Sequence, residues 1–238
     1  MYFRGLTALA EKTPMIPISV SQTIRSQIPG LRLGIIEADG IAVRPNSEVA
    51  DREYQQLDAY ITEKFSKAPP STDKVVSNVR RMYRRIGWEP TQYRPSSEAM
   101  IRRFLKKNGL YRINNIVDLG NVVSTKFHLP MGLYDAAKIR GKVLFDVGRE
   151  EESYQGISRD HIRAAGKLIL RDTEGIFGNP TADSRRTSIT DQTRSALVIF
   201  FTPPEVSSDY LTKTLSALEA LLKEDCSACS VKSYQLVF

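Results

Sequence analysis

The chain has 238 residues, of which 41% are hydrophobic, 8% aromatic and 26% charged, with a formal net charge of +7 and a pI near 9.4. That composition is ordinary for a soluble globular protein with one core, or one core and a small lobe, and its basic excess suits an anionic partner such as nucleic acid as well as it suits a plain basic surface. Two cysteines and no apolar run near eighteen residues exclude a disulfide framework and a membrane-spanning helix, so a cytoplasmic location is expected.

Residues 1–15 read as a loose leader without the apolar core of a signal peptide. A strand is predicted over 31–36, a turn at Gly40, and extended chain over 41–43, broken by Pro45-Asn46-Ser47. Asp51 then opens a helix whose apolar residues Leu57, Tyr60, Ile61 and Phe65 recur at three and four. After the hinge Ala68-Pro69-Pro70-Ser71, Ser71 or Thr72 is the expected cap of a helix carrying Val75, Val79, Met82, Tyr83 and Ile86. Trp88-Glu89-Pro90 ends it. Ser96 or Ser97, next to Pro95, is the expected cap of another helix with Met100, Ile101, Phe104 and Leu105. The apolar stretch 113–127 reads as a buried helix.

The second half changes character. Short β-rich runs at 141–148, 167–171 and 196–201 lie between glycine-rich turns. An amphipathic helix over 207–223 shows Leu211, Leu215, Leu218, Leu221 and Leu222, and 230–238 alternates as a final strand. That strand is an expected sheet edge, to which a second copy can pair, although the oligomeric state stays open. Helices dominate residues 51–110 and strands dominate 111–238, an order that predicts an α+β fold.

Three constellations carry candidate chemistry. Between Arg80 and Arg112 ten arginines and lysines stand against only Glu89 and Glu98. Arg80/Arg84, Arg81/Arg85, Arg102/Lys106 and Arg103/Lys107 are each four apart and share helical faces that can track a phosphate backbone. A solvated surface is the competing reading. Next, Gly175–Thr190 joins two glycines to hydroxyls, Asp183, Arg185 and Arg186, a polar loop suited to a polar ligand but lacking a P-loop ending. A self-bonded polar hairpin explains it equally well. Third, Asp118 and Asn121 interrupt an apolar segment, where they either brace backbone or line a cavity. His128 has no matched nucleophile and reads as structural. Cys226 and Cys229 read as incidental thiols. No set of residues has metal-ligand spacing, so neither metal nor cofactor is expected.

The order Arg112-Ile113-Asn114-Asn115-Ile116-Val117-Asp118-Leu119-Gly120-Asn121, Leu129-Pro130-Met131-Gly132-Leu133-Tyr134-Asp135, Gly141-Lys142-Val143, Gly175-Ile176-Phe177-Gly178 and Phe200-Phe201 resembles the B3/B4 domain of the phenylalanyl-tRNA synthetase β subunit. Pro180–Ser184 and Arg186-Thr187 further resemble its stand-alone relatives. The resemblance implies a layered β/β/α fold, with residues 16–238 as a single B3/B4-like domain. It also implies an editing site that cleaves the ester of a mischarged tRNA, so the expected partners are a tRNA acceptor end and an aminoacyl group held in a pocket.

Carried onto this chain, the family's polar pocket residue falls on Asn121, and its ligand-facing glycines fall on Gly175 and Gly178. The family has a threonine at Gly120, a histidine at Gly132 and a tyrosine-reading glutamate near Leu197. Leucine cannot accept that hydrogen bond, so tyrosine is not the expected amino acid. The reading makes Asn121, Ser184 and Thr187 the catalytic candidates. Gly120, Gly132, Gly175, Gly178, Asp183, Arg186 and Leu197 form the expected substrate pocket. Arg80, Arg81, Arg84, Arg85, Arg102, Arg103, Lys106 and Lys107 are the expected nucleic-acid contacts. The alternatives are a tRNA-binding module without catalysis and an amino-acid-binding protein or small-molecule hydrolase.

Overall fold

A computed structural model of the chain describes residues 16–238; the leader expected at 1–15 lies outside them. The elements in order are β1 (Ile18–Val20), α1 (Gln22–Gln27), β2 (Arg32–Asp39), α2 (Glu48–Lys64), α3 (Lys74–Arg85), α4 (Ser96–Leu105), α5 (Asn115–Phe127), β3 (Met131–Asp135), β4 (Val143–Val147), β5 (Ser153–Tyr154), β6 (Ile162–Arg163), β7 (Leu168–Asp172), β8 (Gly175–Gly178), β9 (Ser195–Thr202), α6 (Ser208–Asp225) and β10 (Ser230–Val237). The architecture is α+β, in the three layers that the family resemblance implied.

One sheet has the order β1-β4-β7-β8 and the other β10-β2-β9-β3. The sheets pack face to face: Phe145 of β4 meets Phe201 of β9 at 5.2 Å, and Tyr134 of β3 meets the edge of Phe177 of β8 at 4.8 Å between ring centroids. Alternation along β3 sends Gly132 and Tyr134 into this layer and Met131 and Leu133 out of it. The second sheet's outer face carries the helices. Gly34 of β2 lies so close to α6 that an added Cβ would be 2.6 Å from Leu211 Cδ1. Leu33, Ile35, Ile199 and Phe201 are fully buried, and burial of this kind stabilises at ~25 cal/mol per Å² of apolar area. A smaller cluster of Leu57, Ile61, Phe65, Ile101 and Phe104 joins α2 to α4.

Helix starts differ from expectation in three places. The Ser47 hydroxyl accepts from the Ala50 N–H, so α2 begins at Glu48, not Asp51. Asp73 accepts from Val75 and Val76 and caps α3, while Pro70–Thr72 form a short 3-10 turn, so neither Ser71 nor Thr72 is the cap. Pro95 occupies the cap position of α4, and the Ser97 hydroxyl donates instead to the His128 carbonyl. Residues 41–43 form no strand. Asp118 braces backbone, accepting from the Ile113 N–H at 2.9 Å and from Arg112 Nε at 2.8 Å. His128, at φ 58, ends α5, and its Nδ1 lies 2.9 Å from Asp73.

Candidate functional site

Tyr134 and Asp183 meet in the layer between the sheets. Tyr134 stands on β3 opposite Leu197 of β9. Asp183 ends a tight turn from β8 in which Asn179 Oδ1 accepts the N–H groups of Thr181 and Ala182, each at 2.8 Å. Gly178 bridges to Asp183 across that turn. Side chains from neighbouring segments brace it further. The Tyr154 hydroxyl donates to the Ala182 carbonyl at 2.7 Å, the Tyr83 hydroxyl lies 3.3 Å from the Thr181 hydroxyl, and the Ile157 N–H donates to the Asp183 carbonyl.

The two functional groups face each other without an aligned hydrogen bond. The Tyr134 hydroxyl and Asp183 Oδ1 are both buried and have no partner other than each other, close enough for each to perturb the other's ionisation, while Asp183 Oδ2 accepts from the Leu133 N–H at 3.4 Å. An orphaned buried acceptor is costly, and such groups concentrate where a ligand or water belongs. Burial pushes the Asp183 carboxyl up to about 7, against smaller downward effects of Tyr134 and Leu133. Burial, with the adjacent Asp183, holds the Tyr134 hydroxyl well above its usual range. A carboxyl poised near neutrality is suited to general acid–base chemistry.

Glycine makes the arrangement possible. A Cβ at Gly132 would collide with the Tyr134 hydroxyl. One at Gly178 would lie 2.5 Å from that hydroxyl and 2.9 Å from Asp183 Oδ1. The hydroxyl therefore occupies the room that a larger residue at 132 needs. Leu197 is fully buried beside it and offers no polar group.

The other expected pocket residues are not brought together. Gly120 packs on the helix side of the second sheet, where an added Cβ would meet Met131 Cε at 2.5 Å. Asn121, its neighbour on α5, accepts from the Thr125 hydroxyl through its carbonyl and makes no side-chain hydrogen bond to Asp183 or Tyr134. Arg186 is bound in a fork by Asp172 at 2.8 and 3.0 Å and also reaches Glu174 and the Lys138 carbonyl. Asp172 Oδ1 also accepts the Gly175 N–H at 3.2 Å, so that amide is not free for a ligand. Although burial acts to raise it, the Asp172 carboxyl stays below its usual range because Arg186 and backbone N–H groups hold it ionised. Ser184 accepts from the Arg186 N–H and Thr187 donates to the Phe177 carbonyl, and both residues are buried, so their hydroxyls serve the loop itself.

Seven of the ten basic residues make ion pairs, but they share five carboxylates, so the stretch keeps a positive excess. Glu98, with no exposed surface, gathers Arg80 at 2.9 Å, Arg102 at 2.9 Å and Arg94 at 3.7 Å. Arg81 and Arg85 pair with Glu205, Arg84 with Glu89, and Arg112 with Asp51 and Asp118. Arg103, Lys106 and Lys107 have no carboxylate partner among the described residues. Arg103 stacks at 3.8 Å over the exposed ring of Tyr111. Within the predicted nucleic-acid face, this cation–aromatic patch is the part whose charges have no carboxylate partner among the described residues. The sequence pointed to its charges but not to Tyr111. It also did not single out Tyr134, whose role depends on the glycine two residues earlier. Among the described residues no cluster of His, Cys, Asp or Glu is placed to hold a metal, and no helix is long and apolar enough to cross a membrane.

Residues 78–213, more than half of the chain, match the B3/4 domain family, and the chain belongs to it. It is 27% identical over 119 residues to the phenylalanine–tRNA ligase β subunit of Fusobacterium nucleatum, and 29% over 105 residues to that of Bartonella henselae. These alignments cover 46% and 43% of this chain but only 14% and 13% of those subunits. Similarity to the uncharacterized protein YhzB of Bacillus subtilis is 18% over 207 residues, 87% of this chain and 93% of that protein. An N-terminal fragment of the phenylalanyl-tRNA synthetase β subunit from Pyrococcus horikoshii aligns over 94% of this chain and 55% of its own, with a TM-score of 0.48 and 11% identity.

Proposed function

We propose that the chain is an aminoacyl-tRNA deacylase acting in trans, which cleaves the ester of a mischarged tRNA with Asp183 as general base. The observation that carries this reading is the Asp183 carboxyl, poised near pH 7, whose Oδ1 is buried facing the Tyr134 hydroxyl with no other partner. In the ionised state Asp183 takes a proton from water as the water oxygen bonds to the ester carbonyl carbon. The Tyr134 O–H donates to the carbonyl oxygen as it gains charge. The bond to the ribose oxygen then breaks, and the proton held by Asp183 passes to that oxygen. Asp183 Oδ1 is enclosed by the braced 179–188 loop, so the reading requires that loop to open for substrate. Tyrosine is not the expected amino acid, because Leu197 and Gly132 supply no partner for a phenol. The patch of Arg103, Lys106, Lys107 and Tyr111 supports contact with tRNA by charge and stacking.

A panel of mischarged tRNAs, incubated with the chain and with Asp183→Asn, tests the reading. One substrate should lose its ester faster with the native chain, and the substitution should slow that cleavage by ~10²-fold or more. Unchanged lifetimes across the panel would defeat the proposal. The enclosure of Oδ1 favours a second reading, a tRNA-binding module without catalysis. Salt-sensitive tRNA affinity with no ester cleavage would establish it.

A further inference from the structure

A second cavity, apart from the Asp183 centre, lies between the loop after α3 and the turn before β7. It encloses about 320 Å³ and is lined by Trp88, Tyr93, Arg163 and Lys167, together with the exposed acids Glu89 and Glu150. Lys167 is 9% exposed, yet among the described residues no carboxylate pairs with it. Its ammonium donates to the Arg163 carbonyl at 2.6 Å and sits 4.2 Å from the centroid of the Tyr93 ring. Trp88 is 3% exposed, and its indole N–H is buried without an acceptor. Glu89 is engaged with Thr91 and Arg84, and Glu150 pairs with Arg163 within the lining, which leaves Lys167 as the lining cation without a carboxylate among the described residues.

A buried cation without a counter-ion and a buried indole N–H without an acceptor both suit an acceptor-rich anion. Burial, and then Arg163 and Arg159, push the Lys167 ammonium below its usual range, and a bound anion would reverse that. The volume suits a ligand the size of a mononucleotide. The aromatic wall is braced from behind, because Trp88 stacks on Tyr83 at 4.2 Å between ring centroids.

We propose that this cavity is a phosphate site, in which Lys167 and the Trp88 N–H hold the phosphate of a nucleotide whose nucleoside lies against the Tyr93 ring. The phosphate comes either from a free mononucleotide or from an RNA strand. The inference does not rest on ester cleavage at Asp183.

Calorimetric titration of the full chain at low salt tests it, with AMP, inorganic phosphate and a short single-stranded RNA as probes. AMP should bind, and more tightly than inorganic phosphate because of the Tyr93 wall. Lys167→Met should weaken AMP binding roughly tenfold or more. Arg163→Gln, at an exposed position, should weaken it severalfold. Lys213→Met, the same loss of charge on exposed α6, should leave it unchanged. If RNA displaces AMP, the strand is the source of the phosphate; if both bind together, the free nucleotide is. The proposal is overturned if none of the three probes binds at millimolar concentration, or if Lys167→Met binds AMP like the native chain. Should Lys167→Met fail to fold, native-like affinity of Arg163→Gln overturns it instead.

Discussion

Asp183→Asn should stabilise the protein above neutral pH. Burial raises the Asp183 carboxyl from an ordinary 3.8 to about 7, so the folded chain holds this proton more tightly than the unfolded chain does. The stability supplied by that proton is complete below pH 4 and is lost as pH rises towards 7. At ~1.36 kcal/mol for each pH unit, the interval from 3.8 to about 7 corresponds to ~4 kcal/mol. Part of the residue reaches solvent, which lowers the expectation to ~2–4 kcal/mol. Asn keeps the shape and an acceptor for the Leu133 N–H but never ionises. Urea unfolding of both proteins, followed by circular dichroism from pH 4 to pH 8, isolates the effect because the other titrating groups cancel in the difference. The stability of Asp183→Asn relative to the native chain should climb by ~2–4 kcal/mol over that range and level off above pH 7. A difference independent of pH would refute the reasoning. If Asp183 is the base, the substitution that gains stability at pH 8 is also the one that loses deacylation.

Three further outcomes follow from the packing. Glu98→Gln leaves Arg80, whose side chain is 11% exposed, without its carboxylate; it should cost ~3–5 kcal/mol in chemical denaturation, and a loss below ~1 kcal/mol would show that Glu98 is not the hub of α3 and α4. Gly132→Ala drives a methyl into the Tyr134 hydroxyl, so it should destabilise by ~1–3 kcal/mol and perturb the tyrosine signal in near-ultraviolet circular dichroism; a silent substitution would mean that the hydroxyl is elsewhere. Lys106→Gln with Lys107→Gln should weaken tRNA binding and reduce the slope of log affinity against log salt by ~1–2, and an unchanged slope would remove this patch from the tRNA interface.

Elements set by local pattern were legible in the sequence. The leucines of α6 and the mostly apolar stretch of α5 declare themselves through period and length. The strands β3 and β8 did not, since each is short, has glycine in it and is largely buried, which leaves no alternation to read. Caps were misplaced where several capping residues competed: Ser71, Thr72 and Asp73 all qualify, and only the structure shows Asp73 meeting the free N–H groups. The charge run misled because its partners come from afar. Glu205 lies 124 and 120 residues from Arg81 and Arg85, a pairing invisible to any local window. Of the expected site residues, Gly132, Gly178, Asp183 and Leu197 lie around the Tyr134 side chain, whereas Gly120 packs against Met131 and Leu133 on the helix side of the sheet.

The residues that converge depend on one another. Glycine at 132 clears a volume that the Tyr134 hydroxyl fills, and glycine at 178 lets the 179–183 turn fold close enough for Asp183 to face that hydroxyl. Without Gly132 the phenol has no room; without the phenol Asp183 Oδ1 loses the one polar group that faces it. Each residue is costly where it stands, the carboxyl through burial and the hydroxyl through its missing partner. A protein that needed only a core would fill this layer with Phe and Val, as it does at Phe145, Phe201 and Val143. Polar groups held unsatisfied inside an otherwise apolar inter-sheet layer are what a site looks like, and that contrast ties the candidate chemistry to this fold.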